Sequence, residues 1–152
     1  MPLSKSAKKE GKKASSPARK PRFGKVLLVE DDPILAMSLE DALKDGGAKD
    51  VTVCSSMKAT MDALEETNFD AIVLDVHLAD RDDGWALAEL VTLLGAKPPR
   101  IVFSTGSPED IPADIAEMGP VFEKPYDPAQ LVEVLAGDQK KGLFERLRGA
   151  MR

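Results

Sequence analysis

The sequence has few of the residues that build many catalytic and metal sites. Its 152 residues include one cysteine, Cys54, and one histidine, His77. A single thiol excludes both a disulfide framework within the chain and a cysteine-based zinc site. A single imidazole leaves almost no material for a serine–histidine or a histidine–metal arrangement. Chemistry in this chain must therefore depend on other residue types.

Long apolar runs are also missing. No stretch approaches the roughly 18 apolar residues of a transmembrane helix, and no apolar run follows the basic N-terminus as in a secretory signal. Hydrophobic residues make up 43% and charged residues 31% of the chain, which is typical of a globular protein. We therefore expect a cytoplasmic protein with one domain of ordinary size and two tails.

Charge is unevenly distributed along the chain. Residues 1–25 carry a net charge of +8, residues 26–136 carry −16, and residues 137–152 carry +3. The acidic body would repel phosphates, so it is a poor nucleic-acid binder by itself. The N-terminal tail is rich in Lys, Ser, Pro and Ala and poor in apolar residues, which predicts disorder.

Five short apolar runs alternate with five helical patterns in the acidic body. The predicted strands are KVLLV (25–29), VTVC (51–54), AIVLDV (71–76), RIVFST (100–105) and PVFEK (120–124). The helical patterns begin at Asp32-Pro33, at Ser55 or Ser56, at Trp85, near residue 108 and at Asp127-Pro128. This alternation predicts βαβ units and a parallel sheet that is covered by helices on both faces.

Polar residues stand where four of these strands end. They are Glu30-Asp31-Asp32, Asp75, Ser104-Thr105-Gly106 and Lys124-Pro125. In a parallel sheet these ends share one edge, which is where function lies in such folds. Clustered carboxylates without a soft ligand favour Mg²⁺. An acid as nucleophile, with a metal and an ammonium group to neutralise phosphoryl oxygens, is suited to phosphoryl transfer.

The motifs LLVEDD, IVLDV, FSTG and EKPY follow successive strands in this order. Each motif is weak alone, but together they resemble the response-regulator receiver domain (the CheY-like family). The resemblance covers residues 24–137 and implies a doubly wound, flavodoxin-like (βα)5 fold with a five-stranded parallel sheet. Residues 1–23 would then form a basic tail, and residues 138–152 a basic amphipathic tail or helix.

The resemblance also implies roles for single residues. Asp75 matches the aspartate that takes a phosphoryl group from a histidine kinase. Glu30 and Asp31 match the acidic pair that holds Mg²⁺, together with Asp75 and the backbone carbonyl of His77. Thr105 matches the switch hydroxyl.

Three further positions complete the implied site. Lys124 matches the phosphate-binding lysine, followed by Pro125, usually in a cis peptide in this family. Gly106, which follows Thr105 in the FSTG motif, is a supporting residue of the site, as is Pro125. We expect Asp32, just beyond the acidic pair, to cap the first helix.

The sequence departs from the family pattern in three places. The run DVHLADRDDG is one residue longer than usual, and Ala79 replaces a common proline. The stretch between Thr105 and Lys124 is about one helical turn short, which predicts a reduced fourth helix. Val121 stands where many receivers carry a switch aromatic, and the nearby Phe103, Phe122 or Tyr126 could substitute for it.

The resemblance implies a single-domain response regulator of a two-component phosphorelay. It would accept phosphate from a histidine kinase or phosphotransfer protein and signal through protein binding or act as a phosphate sink. The resemblance does not identify a downstream partner. We expect no enzyme activity beyond the protein's own phosphorylation and dephosphorylation, and no DNA-binding domain in the 15 residues after the receiver. 

Three alternatives remain. One is a degenerate receiver that acts as a non-switching interaction module. A second is a metal-dependent phosphatase of the haloacid-dehalogenase type, but His77 stands where those enzymes carry a second aspartate. A third is nucleic-acid or membrane binding through the basic tails. For the amphipathic segment 142–152, a docked helix, a fraying end, a partner-binding helix and a membrane contact all stay open.

Overall fold

The computed structural model describes residues 23–78, 83–92 and 98–137. The predicted tails lie outside these residues, except for Phe23, and so does Ala79 of the long loop. Within the described part of the chain, no helix has the length and apolar character needed to cross a membrane.

Five parallel strands form one sheet in the order β2-β1-β3-β4-β5. They are β1 (Phe23–Val29), β2 (Ala48–Cys54), β3 (Ala71–Asp75), β4 (Arg100–Thr105) and β5 (Val121–Glu123). This order is that of flavodoxin-like doubly wound folds, in which the carboxyl ends of the central strands border the functional crevice. The predicted fold class is confirmed.

Helices connect successive strands and cover both faces of the sheet. They are α1 (Pro33–Gly46), α2 (Met57–Glu66), α3 (Ala86–Thr92), α4 (Ala113–Ala116) and α5 (Pro128–Gly137). The fourth helix is a single turn, preceded by a short 3₁₀ turn at Pro108–Asp110. Pro112 stands at the N-cap of α4, where proline is compatible with a helix start but cannot extend a helix backwards. The predicted reduction of this helix is confirmed.

The core has two layers because side chains alternate across each strand. On one face, Phe103 and Leu74 pack among residues of α2, α3 and α4. On the other face, Val102 and Val73 pack against α1 and α5, and Leu39 of α1 belongs to the same cluster.

Side chains begin the first two helices as their types predict. Asp32 Oδ1 accepts hydrogen bonds from the backbone N–H groups of Ile34 and Leu35, at 3.0 and 3.4 Å. Ser56, not Ser55, caps α2 by accepting from the Ala59 N–H at 3.1 Å. Both are the oxygen acceptors that satisfy free N–H groups at a helix start.

Strand bounds differ from the sequence prediction where pairing, not apolar character, decides them. β1 begins at Phe23 and β2 at Ala48, and these two residues are partners in the parallel register. Phe23 is buried, and its N–H bonds the Gly47 carbonyl at 3.3 Å. Phe23 therefore belongs to the sheet, and the predicted tail 1–23 is one residue too long.

Candidate functional site

The polar residues predicted at the strand ends meet at one edge of the sheet. Glu30 and Asp31 follow β1, Asp75 is the last residue of β3, Thr105 ends β4, and Lys124 follows β5. Side-chain contacts of Lys124 with Glu30 and Asp75 join the carboxyl ends of β1, β3 and β5 into one site.

Three carboxylates form the acidic part of the site. Glu30, Asp31 and Asp75 each place an oxygen within 4.8 Å of the others. Glu30 and Asp75 are 2% and 3% exposed, while Asp31 is more accessible. This all-oxygen donor set, with carboxylates that would repel each other if left alone, fits Mg²⁺.

The backbone after β3 is fixed to the central carboxylate. The N–H of His77 donates to Asp75 Oδ1 at 3.0 Å. This bond holds residue 77 next to Asp75, where its main-chain carbonyl is one of the predicted metal ligands. The imidazole of His77 contacts an acid outside this group of three, with its Nε2 2.9 Å from Asp110 Oδ2.

Lys124 pairs with two of the three acids. Its Nζ lies 2.9 Å from Glu30 Oε1 and 3.2 Å from Asp75 Oδ2. Burial opposes the charge of this ammonium, but its contact with Glu30 and the charge of Asp75 outweigh that effect. The pKa of Lys124 is therefore raised, and the side chain stays cationic beside Asp75.

Glu30 is buried, and a backbone hydrogen bond holds its carboxylate in place. Its Oε2 accepts from the Asp32 N–H at 3.0 Å. Burial raises the pKa of the Glu30 carboxyl, and the charge of Asp75 adds to this effect. Lys124 and the Asp32 N–H act in the opposite direction without cancelling the rise. A buried carboxylate of this kind is stabilised by a nearby cation.

Thr105 is fully buried at the end of β4. Its Oγ1 accepts from the Ser107 N–H at 3.0 Å, and its carbonyl accepts from the Lys124 N–H at 2.8 Å. The Thr105 side chain therefore caps the next turn. Its hydroxyl hydrogen can still donate to a second acceptor. Gly106 leaves open space, because a Cβ there would meet nothing within 4 Å.

The peptide bond between Lys124 and Pro125 is cis, as the resemblance implied. Tyr126 follows, and its hydroxyl lies 2.6 Å from Ser104 Oγ. Its ring also contacts Phe122, with centroids 5.3 Å apart.

Sequence reasoning missed two side-chain contacts, those between His77 and Asp110 and between Ser104 and Tyr126. The first joins residues 33 positions apart, and no local pattern signals it. The second had a partial signal, because Tyr126 was one of three aromatic residues near the place of the missing switch aromatic.

Comparisons with known proteins agree with this geometry. The family model for the response regulator receiver domain matches residues 26–136. A receiver domain (CheY-like) structure from Methylobacillus flagellatus is similar, with a TM-score of 0.63, 26% identity, and coverage of 72% of this chain and 92% of that chain.

Two curated relatives match over shorter stretches. The transcriptional regulatory protein LytR of Staphylococcus aureus (strain N315) is 32% identical over 82 residues, which are 53% of this chain and 32% of LytR. The two-component response regulator ORR21 of Oryza sativa subsp. indica is 39% identical over 89 residues, 57% of this chain and 12% of ORR21. The chain thus spans about a third or less of the length of these relatives.

Proposed function

We propose, on the premise that this chain belongs to the response regulator receiver domain family, that Asp75 accepts a phosphoryl group from a histidine kinase or phosphotransfer protein. The observation that carries the proposal is the position of Asp75. It is a buried carboxylate at a strand end, grouped with Glu30 and Asp31 and 3.2 Å from the Lys124 ammonium.

The residues of the site divide the work of phosphoryl transfer. An Asp75 oxygen is the nucleophile that attacks phosphorus, and an acyl phosphate forms as the bond between phosphorus and the donor's histidine nitrogen breaks, leaving the donor's imidazole. Glu30, Asp31, Asp75 and the His77 carbonyl would hold Mg²⁺, which when bound neutralises charge on the phosphoryl oxygens. Lys124 already contacts Asp75, so its ammonium needs only a small displacement to bind an oxygen of the incoming group.

Thr105 would detect the product. Its hydroxyl hydrogen can donate to a phosphoryl oxygen on Asp75, and a movement of the side chain toward that oxygen would break the bond that Oγ1 now accepts from the Ser107 N–H. Gly106 gives this turn room to move. A change there biases a two-state surface, through which the protein would bind a partner. The same chemistry without a partner would make it a phosphate sink.

Phosphoryl uptake tests the proposal directly. The protein is incubated with acetyl phosphate and Mg²⁺, and the modified residue is located by mass spectrometry after reductive trapping of the acyl phosphate. We expect one phosphoryl group on Asp75, none in Asp75→Asn, and normal uptake in Asp41→Asn, an exposed control acid on α1. Labelling that persists in Asp75→Asn would show that another residue is the acceptor.

One observation favours a second candidate, a receiver that does not switch. Val121 occupies the position of the usual aromatic and packs in the core cluster that contains Phe103. If the wild-type protein takes up phosphate but its amide signals outside the site stay unchanged, the protein is a constitutive interaction module. The phosphatase alternative is set aside, because the chain belongs to the receiver family.

A further inference from the structure

The contact between Ser104 and Tyr126 joins strand β4 to the connection between β5 and α5. Their hydroxyl oxygens are 2.6 Å apart, and either can donate. Ser104 is 1% exposed. Burial raises the pKa of the Tyr126 hydroxyl, an effect that the bond to Ser104 partly offsets. The bond is part-buried, and a hydrogen bond inside a protein is electrostatically stronger than one in water.

Ser104 lies next to both functional groups that phosphorylation would change. It is the register partner of Asp75 in the β3–β4 ladder, and it directly precedes Thr105. Because side chains alternate along a strand, Ser104 lies on the α1 and α5 face, while Thr105 lies on the opposite face with Phe103. A backbone shift at Thr105 must displace Ser104 as well.

The aromatic residues near β5 are on that same face. Phe122 and Tyr126 pack against the cluster formed with α1 and α5, whereas Val121 packs on the other face. Tyr126 also lines a groove beside the start of α1, together with Ile34, Leu35 and Pro125. Ile34 is among the most exposed hydrophobic residues of the described chain.

We infer that the Ser104–Tyr126 hydrogen bond is the output coupling of this receiver. When Thr105 moves toward a phosphoryl group on Asp75, Ser104 moves with it, and the bond carries the change through the sheet to Tyr126. The position of Tyr126 in the wall of the groove beside α1 then changes. The surface at Val121, where many receivers carry the switch aromatic, does not carry the signal. This inference rests on the proposed function of Asp75.

Tyr126 is the only tyrosine in the chain, so it can be observed without interference. An isotope label on the ring carbon that bears the hydroxyl gives a single NMR signal. Beryllofluoride with Mg²⁺ serves as the phosphoryl mimic, and fluorine NMR reports independently whether it is bound. We expect a shift of the tyrosine signal in the wild-type protein, and loss of most of that shift in Ser104→Ala and in Thr105→Ala.

The controls separate coupling from a direct effect of charge. Ser107→Ala removes a hydroxyl near Thr105 but not the bond to Tyr126, so the full shift should remain. If Ser104→Ala binds beryllofluoride and keeps the full shift, Tyr126 only senses the charge of the site, and the inference is wrong. If no bound fluorine signal forms in the wild-type protein, both the proposed function and this inference fail.

Discussion

Lys124 Nζ lies 3.2 Å from Asp75 Oδ2, so the proposed phosphoacceptor is paired with a cation before any phosphoryl group arrives. The same ammonium contacts Glu30 at 2.9 Å. A divalent ion that enters the acidic cluster must therefore share these carboxylates with Lys124. This competition has consequences for metal affinity and for stability.

Mg²⁺ should bind weakly, and binding should need both Asp31 and Asp75. Loss of groups that only orient metal ligands costs about 10–100-fold in affinity, so Asp31→Ala should weaken binding by at least about tenfold. Titration of amide signals at residues 30–32 and 75–77 measures this. Asp41→Ala, on the exposed side of α1, should bind like the wild-type protein. An unchanged titration in Asp31→Ala would mean that the site is misassigned.

Asp75→Asn should stabilise the protein in the absence of Mg²⁺. The change keeps the side-chain shape and removes one of three close negative charges, while Lys124 keeps its contact with Glu30. The expected net gain is about 1 kcal/mol, because the lost contact with Lys124 offsets much of the repulsion that is removed.

Thermal unfolding with and without Mg²⁺ tests this expectation. Mg²⁺ should raise the melting temperature of the wild-type protein but not that of Asp75→Asn, because the variant has lost a ligand. A fall in the melting temperature of Asp75→Asn without Mg²⁺ would show that the Lys124–Asp75 pair outweighs the repulsion among the acids.

The fold and most of the site could be predicted because they depend on local patterns. Alternating apolar runs and helix caps such as Asp32 predict the element order, and a parallel sheet then brings Glu30, Asp75 and Lys124 to one edge. The start of β1 could not be predicted, since Phe23 joins the strand only through its pairing with Ala48.

The contact between His77 and Asp110 could not be predicted from the sequence for a similar reason. It joins the loop after β3 to the turn after β4, and its existence depends on how two connections approach each other in space. Motifs place residues at the ends of strands, but they do not determine which side chains meet between loops.

Gly119 lies just before β5 and permits a close approach of the backbone to Ile101 of β4. A Cβ at Gly119 would lie only 1.8 Å from the carbonyl oxygen of Ile101, so the backbone would have to move. Gly119→Ala should therefore destabilise the protein by about 1–3 kcal/mol, as overpacking in a core does. Gly106→Ala should have little effect, because open space surrounds that position. Urea unfolding of the two variants measures the difference, and equal stabilities would contradict the packing argument.

The residues before Phe23 should be dispensable for folding and phosphoryl uptake. A chain that begins at Pro21 keeps the buried Phe23 ring and the backbone bond to Gly47. Its melting temperature and its uptake from acetyl phosphate should match those of the whole chain.

A second truncation locates the boundary of the domain. A chain that begins at Lys25 loses the buried ring of Phe23, which should cost about 3–5 kcal/mol, as removal of a core phenylalanine does. If the chain that begins at Pro21 is already destabilised as much, the first 20 residues contribute to the fold and the predicted tail is wrong.

Thr105→Ala should separate phosphoryl uptake from switching. In the structure, Thr105 Oγ1 accepts from the Ser107 N–H at 3.0 Å. If the side chain moves to donate to a phosphoryl oxygen, the Ser107 N–H loses this acceptor, and the 3₁₀ turn at Pro108–Asp110 must rearrange. One hydrogen bond to a charged group is worth about 1.5–3 kcal/mol, enough to shift a two-state element tenfold or more.

The variant should still take up phosphate on Asp75, because neither the nucleophile nor Lys124 is changed. Amide shifts at residues 105–112 on addition of beryllofluoride and Mg²⁺ should be large in the wild-type protein and mostly lost in Thr105→Ala. Thr105→Ser keeps the hydroxyl and should restore them. Because the Ser107 bond is also absent in Thr105→Ala without ligand, the comparison must use the change caused by beryllofluoride and not the starting positions of the signals. Equal changes in both proteins would mean that Thr105 only begins the turn and that switching depends on another residue.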